Sequence, residues 1–335
     1  MKNRHAFTLV ELLTVIVIIG ILAAIITVAV AGAFRASQIG RIGVQMSQTA
    51  MALDRYNSEF GEFPPDMFDD EALVRHDQRR WPRMNVPDGW NTWTHTQKAN
   101  FIRAAINTAY NAIPNIGVTS GSIEVNFGNL PSHQPQIGAL ALWLGGFPNS
   151  DGIMSGFSAD PLNPFFLAAT SANTIPPADR RYDGKVFIDL ELGNNKNVRM
   201  FSVGATTGGV TAIVPVIGNE IRGAFVPIVY FRGRTEGGEY AYRIGGVASG
   251  AIKHFNFPEF GLCVPYMETE TPRRWHNPTR YQLIHPGLDG KFSIPPGTPP
   301  PAMERITSTG VGIGLQDLDN LTNFSDNREL RSILP

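Results

Sequence analysis

The run Phe7-Thr8-Leu9-Val10-Glu11-Leu12-Leu13, continued without a break in character to Gly32, decides how the rest of this chain must be read. It holds 26 residues, interrupted only by Thr8, Glu11, Thr14 and Thr27, and no Lys or Arg stands between Arg4 and Arg35. At about 1.5 Å per residue such a helix measures roughly 39 Å, longer than the roughly 30 Å hydrocarbon core of a bilayer. The segment can therefore span a membrane. Lys2 and Arg4 at its start place the amino terminus in the cytoplasm, an asymmetry that Arg35 at the other end reduces.

Three readings compete for this segment. A cleaved secretory signal needs an apolar region of about 7–15 residues, and although Ala29-Val30-Ala31 offers a small-x-small site, the run is far too long. A plain anchor fits the length but leaves Glu11 without a purpose, because a carboxylate inside the bilayer costs energy and is normally retained for a partner. The third reading is a resemblance. Ala6-Phe7-Thr8-Leu9-Val10-Glu11-Leu12-Leu13 resembles the leader of type IV pilins and type II secretion pseudopilins. The resemblance implies a cut by prepilin peptidase between Ala6 and Phe7, with methylation of the new Phe7 amino group. It implies that Glu11 pairs with the amino terminus of a neighbouring subunit during assembly. Opposite charges in low dielectric gain most by meeting, and a misplaced subunit leaves both unpaired.

Past Arg35 the helix continues. No proline occurs between Phe7 and Phe63, and Ile39, Ile42, Met46, Ala50, Leu53, Tyr56 and Phe60 recur in steps of three and four. That stripe predicts an amphipathic helix with one dry face, stopped by Gly61 and Pro64-Pro65. Gly40 and Gly43 are the expected place for a bend. The domain plan is a leader at 1–6, a membrane and assembly helix at 7–33, an amphipathic helix at 34–63 and a periplasmic head at 64–335. Within the head, 66–158 reads as a helical and looped insertion, with helices expected over Asp70 to Trp81, Thr96 to Ile113 (Thr96 as N-cap) and Gln136 to Leu144. From residue 184 to 335 the pattern is sheet followed by a C-terminal loop. Strands are expected at Lys185–Leu192, Val198–Val203, Val210–Ile217, Ala224–Arg232, Glu239–Ile244 and Arg280–His285. Short strands without intervening helices imply an antiparallel sheet, so the fold class is α+β, a long N-terminal helix packed on a globular head.

Other functions find little support. With 28 basic and 29 acidic residues the chain lacks the positive excess of a nucleic-acid binder. Its one cysteine, Cys263, excludes an intrachain disulfide and a multi-cysteine zinc site, and reads as a small core residue. No Gly-x-Ser-x-Gly, His-Glu-x-x-His or phosphate loop occurs, so no catalytic residue is assigned. His276 and His285 are expected at exposed loop and strand positions.

The resemblance implies a filament-forming pseudopilin-like subunit of a type II secretion system. Its partners would be prepilin peptidase, further copies of itself and other pilin-type subunits, and an inner-membrane assembly platform. It would sit in the bacterial inner membrane as a single-pass protein with a periplasmic head. A type IV pilus subunit for adhesion or motility is the alternative, although such subunits commonly close a C-terminal loop with a disulfide. A membrane-anchored periplasmic enzyme or carbohydrate-binding module, with the insertion as its working part, is another. Ile284–Phe292 and Asp317–Phe324 also resemble the two segments that hold Ca²⁺ in major pseudopilins. Carried over, the ligands are Asp289, Asp317 and Asp319 with the Leu288 carbonyl, oxygen donors from two loops of the kind calcium takes.

Overall fold

The computed structural model describes residues 9–113, 118–124, 136–166, 175–193, 196–204, 212–221, 223–234, 237–246, 250–257, 260–293 and 305–335. A single helix, α1 (Leu9–Phe60), leads into a head whose described residues form three further α-helices: α2 (Asp70–Arg80), α3 (His95–Asn111) and α4 (Ala139–Gly145). Strands β1 (Val118–Glu124), β2 (Val198–Gly204), β3 (Ala212–Ile221) and β4 (Ala224–Pro227) form one sheet in that order. After β5 (Val229–Arg232) come β6 (Phe255–Phe257), β7 (Gly261–Cys263), β8 (Met267–Thr269), β9 (Arg274–Trp275), β10 (Tyr281–His285) and β11 (Leu321–Thr322). A second sheet runs β11-β10-β5, and β6-β7 and β8-β9 are two-stranded ribbons. All of these pairings are antiparallel except β1 with β2. The architecture is α+β.

The apolar stripe of α1 falls where its spacing demands. Ile42, Met46, Leu53 and Tyr56 are buried, while Val44 and Met51 on the opposite side stay exposed. The helix runs unbroken through Gly40 and Gly43. It ends because Gly61 adopts a positive φ of 74°, which costs glycine no steric strain, and prolines follow. Tyr281 and the α4 segment close over the dry face.

Helix α4 is buried on every side, the condition of a helix without a polar face. It packs between α1 and β3. Its exit needs glycine: Gly146 has φ of 75°, and a Cβ there would overlap the backbone of Gly156. Beside it, Trp81, Trp143, Phe147, Phe157 and Phe165 pack ring against ring.

Several boundaries differ from the sequence reading. Thr94, not Thr96, caps α3, accepting from Gln97 N while Gln97 reaches back to Thr94 N, a reciprocal capping box. Residues 185–192 form only isolated bridges at Glu191 and Leu192, and 239–244 is a turn running into a 3₁₀ segment. The stretch 224–232 splits at Ile228, so that β4 joins the first sheet and β5 the second. Residues 66–158, read as helices and loops, also supply β1, which extends the main sheet. His285 is fully buried in β10, where burial pushes its imidazole down to about 3, and does not lie at the surface.

A buried ionic network holds the end of α1 to the head. Glu62 accepts from His76 Nδ1 at 3.0 Å and Arg232 Nη2 at 2.9 Å, and Asp66 meets Lys253 Nζ at 2.7 Å. Tyr56 Oη lies 2.6 Å from His76 Nε2 and accepts from Arg80 Nη1 at 3.1 Å. Burial pushes the Glu62 carboxyl up, but His76 and Arg232 outweigh it and hold it at about 2. Burial pushes His76 down to about 4, so a neutral ring donates to Glu62 and accepts from Tyr56.

Candidate functional site

Two regions match the site residues expected from the sequence: the free half of α1 and the C-terminal loops. Leu9 to Phe34 of α1 lies outside the head, its large apolar side chains exposed all round, from Leu9 at 79% to Phe34 at 67%. Water penalises that surface strongly, at roughly 25 cal/mol per Å² of apolar area. The stretch therefore belongs in lipid or against other helices. Its polar groups are prepared for such a setting. Thr14 Oγ1 donates to Val10 O at 2.8 Å and Thr27 Oγ1 to Ala23 O at 2.7 Å, so neither hydroxyl is left without a partner. The span is long and apolar enough to cross a membrane.

Glu11 sits in the first turn of α1 on this exposed stretch. Ala6 and Phe7 lie outside the described residues.

The C-terminal segments do come together. Asp319 Oδ2 accepts from Leu288 N at 2.8 Å and from Asp289 N at 3.2 Å, tying the turn after β10 to the 3₁₀ segment Leu315–Asp319. Asp289 Oδ1 is taken by Lys291 N at 2.8 Å, and burial pushes the Asp289 carboxyl above its ordinary value.

Asp317 is placed differently. It is buried 3.4 Å from Arg305 Nε, accepts from Ser293 N, Gly314 N and Asn320 Nδ2, each at 3.1 Å, and from Ser293 Oγ. Calcium takes six to eight oxygens, waters and backbone carbonyls included, and a carboxylate that serves it must spare an oxygen for it. Asp317 has none to offer, and among the described residues no three His, Cys, Asp or Glu side chains are grouped to hold a metal. The residues present do not fit the calcium ligand set of Asp289, Asp317, Asp319 and Leu288. A guanidinium supplies the positive charge instead.

Sequence reasoning missed Arg305 and Ser293, which lie in a long Pro-rich stretch, and also the Arg35–Glu329 pair at 2.8 Å. Nothing in spacing connects residues 294 positions apart. Other clefts on the head have mixed polar and apolar linings. The one beside Glu62 and Asp66 is lined by charges already paired with one another, which argues for a structural role.

Comparison with known proteins agrees with the amino-terminal reading. Residues 1–27 match the family model of the prokaryotic N-terminal methylation motif. No curated protein and no solved structure gives a significant match to the chain. The chain thus carries a prepilin-type methylation motif at the head of a long apolar helix, and this supports a type IV pilin-like or pseudopilin subunit. Such a motif implies processing by prepilin peptidase and assembly with other pilin-type subunits, a structural role more than an enzymatic one.

Proposed function

We propose that the protein is a filament subunit of a type II secretion system, a pseudopilin-like protein that polymerises through α1. Prepilin peptidase cuts between Ala6 and Phe7 on the cytoplasmic side and methylates the Phe7 amino group. The mature chain waits in the inner membrane with its head in the periplasm. The observation that carries this reading is the division of α1: an exposed apolar half bearing one acidic residue, Glu11, then a half fixed in the head by a buried stripe.

The physical logic of assembly follows from that division. In lipid, the exposed half is satisfied. Drawn out of the membrane, it must be covered by equivalent helices of other subunits, or it carries the full cost of its apolar surface in water. Within such a bundle Glu11 is stable only opposite a positive charge, and the Phe7 amino group of a neighbouring copy provides it. An inner-membrane platform would perform the extraction. The secretion system is preferred to a surface pilus because Cys263 is buried, with its thiol pushed up by burial, and is the chain's single cysteine, so the C-terminal loop is closed by ion pairs and not by a disulfide.

Mass spectrometry of the mature amino terminus tests the first step. N-methyl-Phe7 is expected; an intact Met1 or a cut after Ala31 would overturn the assignment. Glu11→Ala should be made, processed and membrane-bound but absent from sheared filaments, and normal incorporation would remove the role given to Glu11. Deleting the gene should strand secreted enzymes in the periplasm. Loss of surface pili with secretion intact would move the protein to the pilus class.

A further inference from the structure

Where α1 leaves the apolar run, the head presents a cleft of about 530 Å³ whose walls differ in chemistry. One wall is apolar, with Phe34 67% exposed and Leu315 85% exposed. The cations are Arg35 and Arg331, both half exposed, and both bound at 2.8 Å to one carboxylate, Glu329. Two guanidiniums thus share one hydrogen-bonded carboxylate, which holds them side by side, and the Asp319 charge acts on Arg35 from within the same cleft. Across the cleft stand Asp289 and Asp319. Asp289 accepts from Lys291 N of its own turn and Asp319 from Leu288 N and Asp289 N of that same turn, so the pair is fixed in position.

The depth of this cleft follows from helix geometry. A bilayer with its headgroup layers measures about 40–45 Å, or about 27–30 residues of helix. A helix entering at Phe7 therefore clears the headgroups between about residues 34 and 37, the turn that carries Phe34 and Arg35. An aromatic ring and arginines at that level are the anchors expected at a membrane–water interface. Leu315, from the far end of the sequence, is brought to the same place with nearly its whole side chain bare. So exposed a leucine beside Phe34 is explained when lipid covers both.

We propose that this cleft is a lipid site that takes a zwitterionic phosphoethanolamine headgroup from the bilayer around α1. The phosphate lies against Arg35 and Arg331, the ammonium against Asp289 with the Asp319 charge behind it, and the start of the acyl chains against Phe34 and Leu315. Charge selects among lipids. A phosphoglycerol headgroup brings no cation for the two aspartates, and a phosphocholine brings one without N–H donors. The head would then rest on the membrane surface in a fixed orientation until the subunit is extracted. This inference rests on α1 spanning the membrane.

Native mass spectrometry of the full-length processed protein in detergent provides the test. Phosphatidylethanolamine, phosphatidylcholine and phosphatidylglycerol with identical acyl chains are added in turn. Retention of the ethanolamine lipid should exceed either of the others by about tenfold, the effect of one charge-assisted hydrogen bond. Asp289→Asn should abolish the preference and Asp289→Glu should restore part of it, whereas Arg331→Ala should lower the retention of all three lipids alike. Equal retention of all three lipids, or equal retention of the ethanolamine and glycerol lipids, would overturn the proposal. In cells, p-benzoylphenylalanine in place of Leu315 should form lipid adducts on illumination, whereas adducts to a second copy or another protein would assign the cleft to subunit contact. Carbonate extraction separates the two levels of failure. Protein that washes out loses the membrane reading and this inference together, while protein that stays without lipid preference loses only this inference.

Discussion

Removing Arg305 gives the sharpest test of how the C-terminal loops are held. Asp317 is buried, and its two oxygens face one guanidinium and four neutral hydrogen-bond donors. In Arg305→Met the neutral donors remain while the opposite charge within ion-pair distance of Asp317 among the described residues is lost. An uncompensated buried carboxylate of this kind costs about 3–5 kcal/mol. Asp317→Asn fails differently, because its amide turns donors towards Gly314 N–H and Arg305, and a loss of about 2–4 kcal/mol is expected from a broken buried network. The double variant should lose clearly less than the sum of the two, with a coupling energy of about 2 kcal/mol. The measurement is urea unfolding of the full chain in detergent, followed by tryptophan fluorescence, with calcium or with chelator. Wild type should give one curve in both, because a ligand stabilises only a state that binds it. An Arg305→Met variant within about 1 kcal/mol of wild type, or a wild-type midpoint that rises with calcium, would refute the view that a guanidinium does the work of a metal here.

Three further outcomes follow from the packing and the ionic network. Leu53→Ala, which empties a fully buried position between α1 and the head, should cost about 2–5 kcal/mol, whereas Met51→Ala on the exposed face should stay within about 0.5 kcal/mol by the same denaturation assay. His76, held neutral by burial with a value of about 4, adds stability that is complete above about pH 6.5 and is lost as pH falls through 4; His76→Gln should flatten that acid slope. Asp77 behaves in the opposite sense: burial pushes its carboxyl up to about 8, so the folded state keeps a proton that the unfolded chain releases near pH 4. Stability should therefore decline as pH rises from about 4 to 8, and Asp77→Asn should remove that decline and melt higher than wild type at pH 8.

The long helix was legible because its signals are local. A run without Lys or Arg, a stripe at steps of three and four, and a Gly-Pro-Pro stop each act within a few residues, and the helix spans Leu9–Phe60 accordingly. The sheet was legible only in part. β2 and β10 follow from short runs rich in Val, Phe, Ile and Tyr between Gly, Asn or Pro, but β1 was not recognised. Its sequence, Val-Thr-Ser-Gly-Ser-Ile-Glu, separates its β-branched residues with Ser-Gly-Ser, and pairing with β2 some eighty residues later makes it a strand. The reverse error occurred at 239–244, where Tyr and Ile looked like a strand. There Tyr242 and Ala241 fill the core from a turn, and Trp275 reaches back to Glu239 O. The same division holds for the site. Glu11 is conspicuous because it interrupts an apolar run, while Arg305 and Glu329 become functional only by meeting partners distant in sequence.

Two surfaces that cannot share one environment are joined in α1, and the head must keep them from exchanging roles. The stripe from Ile42 to Tyr56 could in principle lie in lipid as readily as the run before it, since both are apolar. What fixes the boundary is the polar content around the stripe. Thr49 is buried and its hydroxyl donates to Gln45 O at 2.8 Å, Gln45 Nε2 reaches Gly218 O at 3.1 Å, and Arg280 meets Asp54 at 2.6 Å. Beyond them, Glu62 and Asp66 tie the helix end to Arg232 and Lys253 inside the head. Sliding α1 towards the membrane by one turn would break these buried pairs and leave their charges unpaired, each at a cost of several kcal/mol. Sliding it the other way would expose about four more apolar residues to water. The register of the helix in the head is therefore set from both sides. A pull on the head would then be transmitted to the exposed apolar half of α1 without slippage, as the filament role proposed above requires.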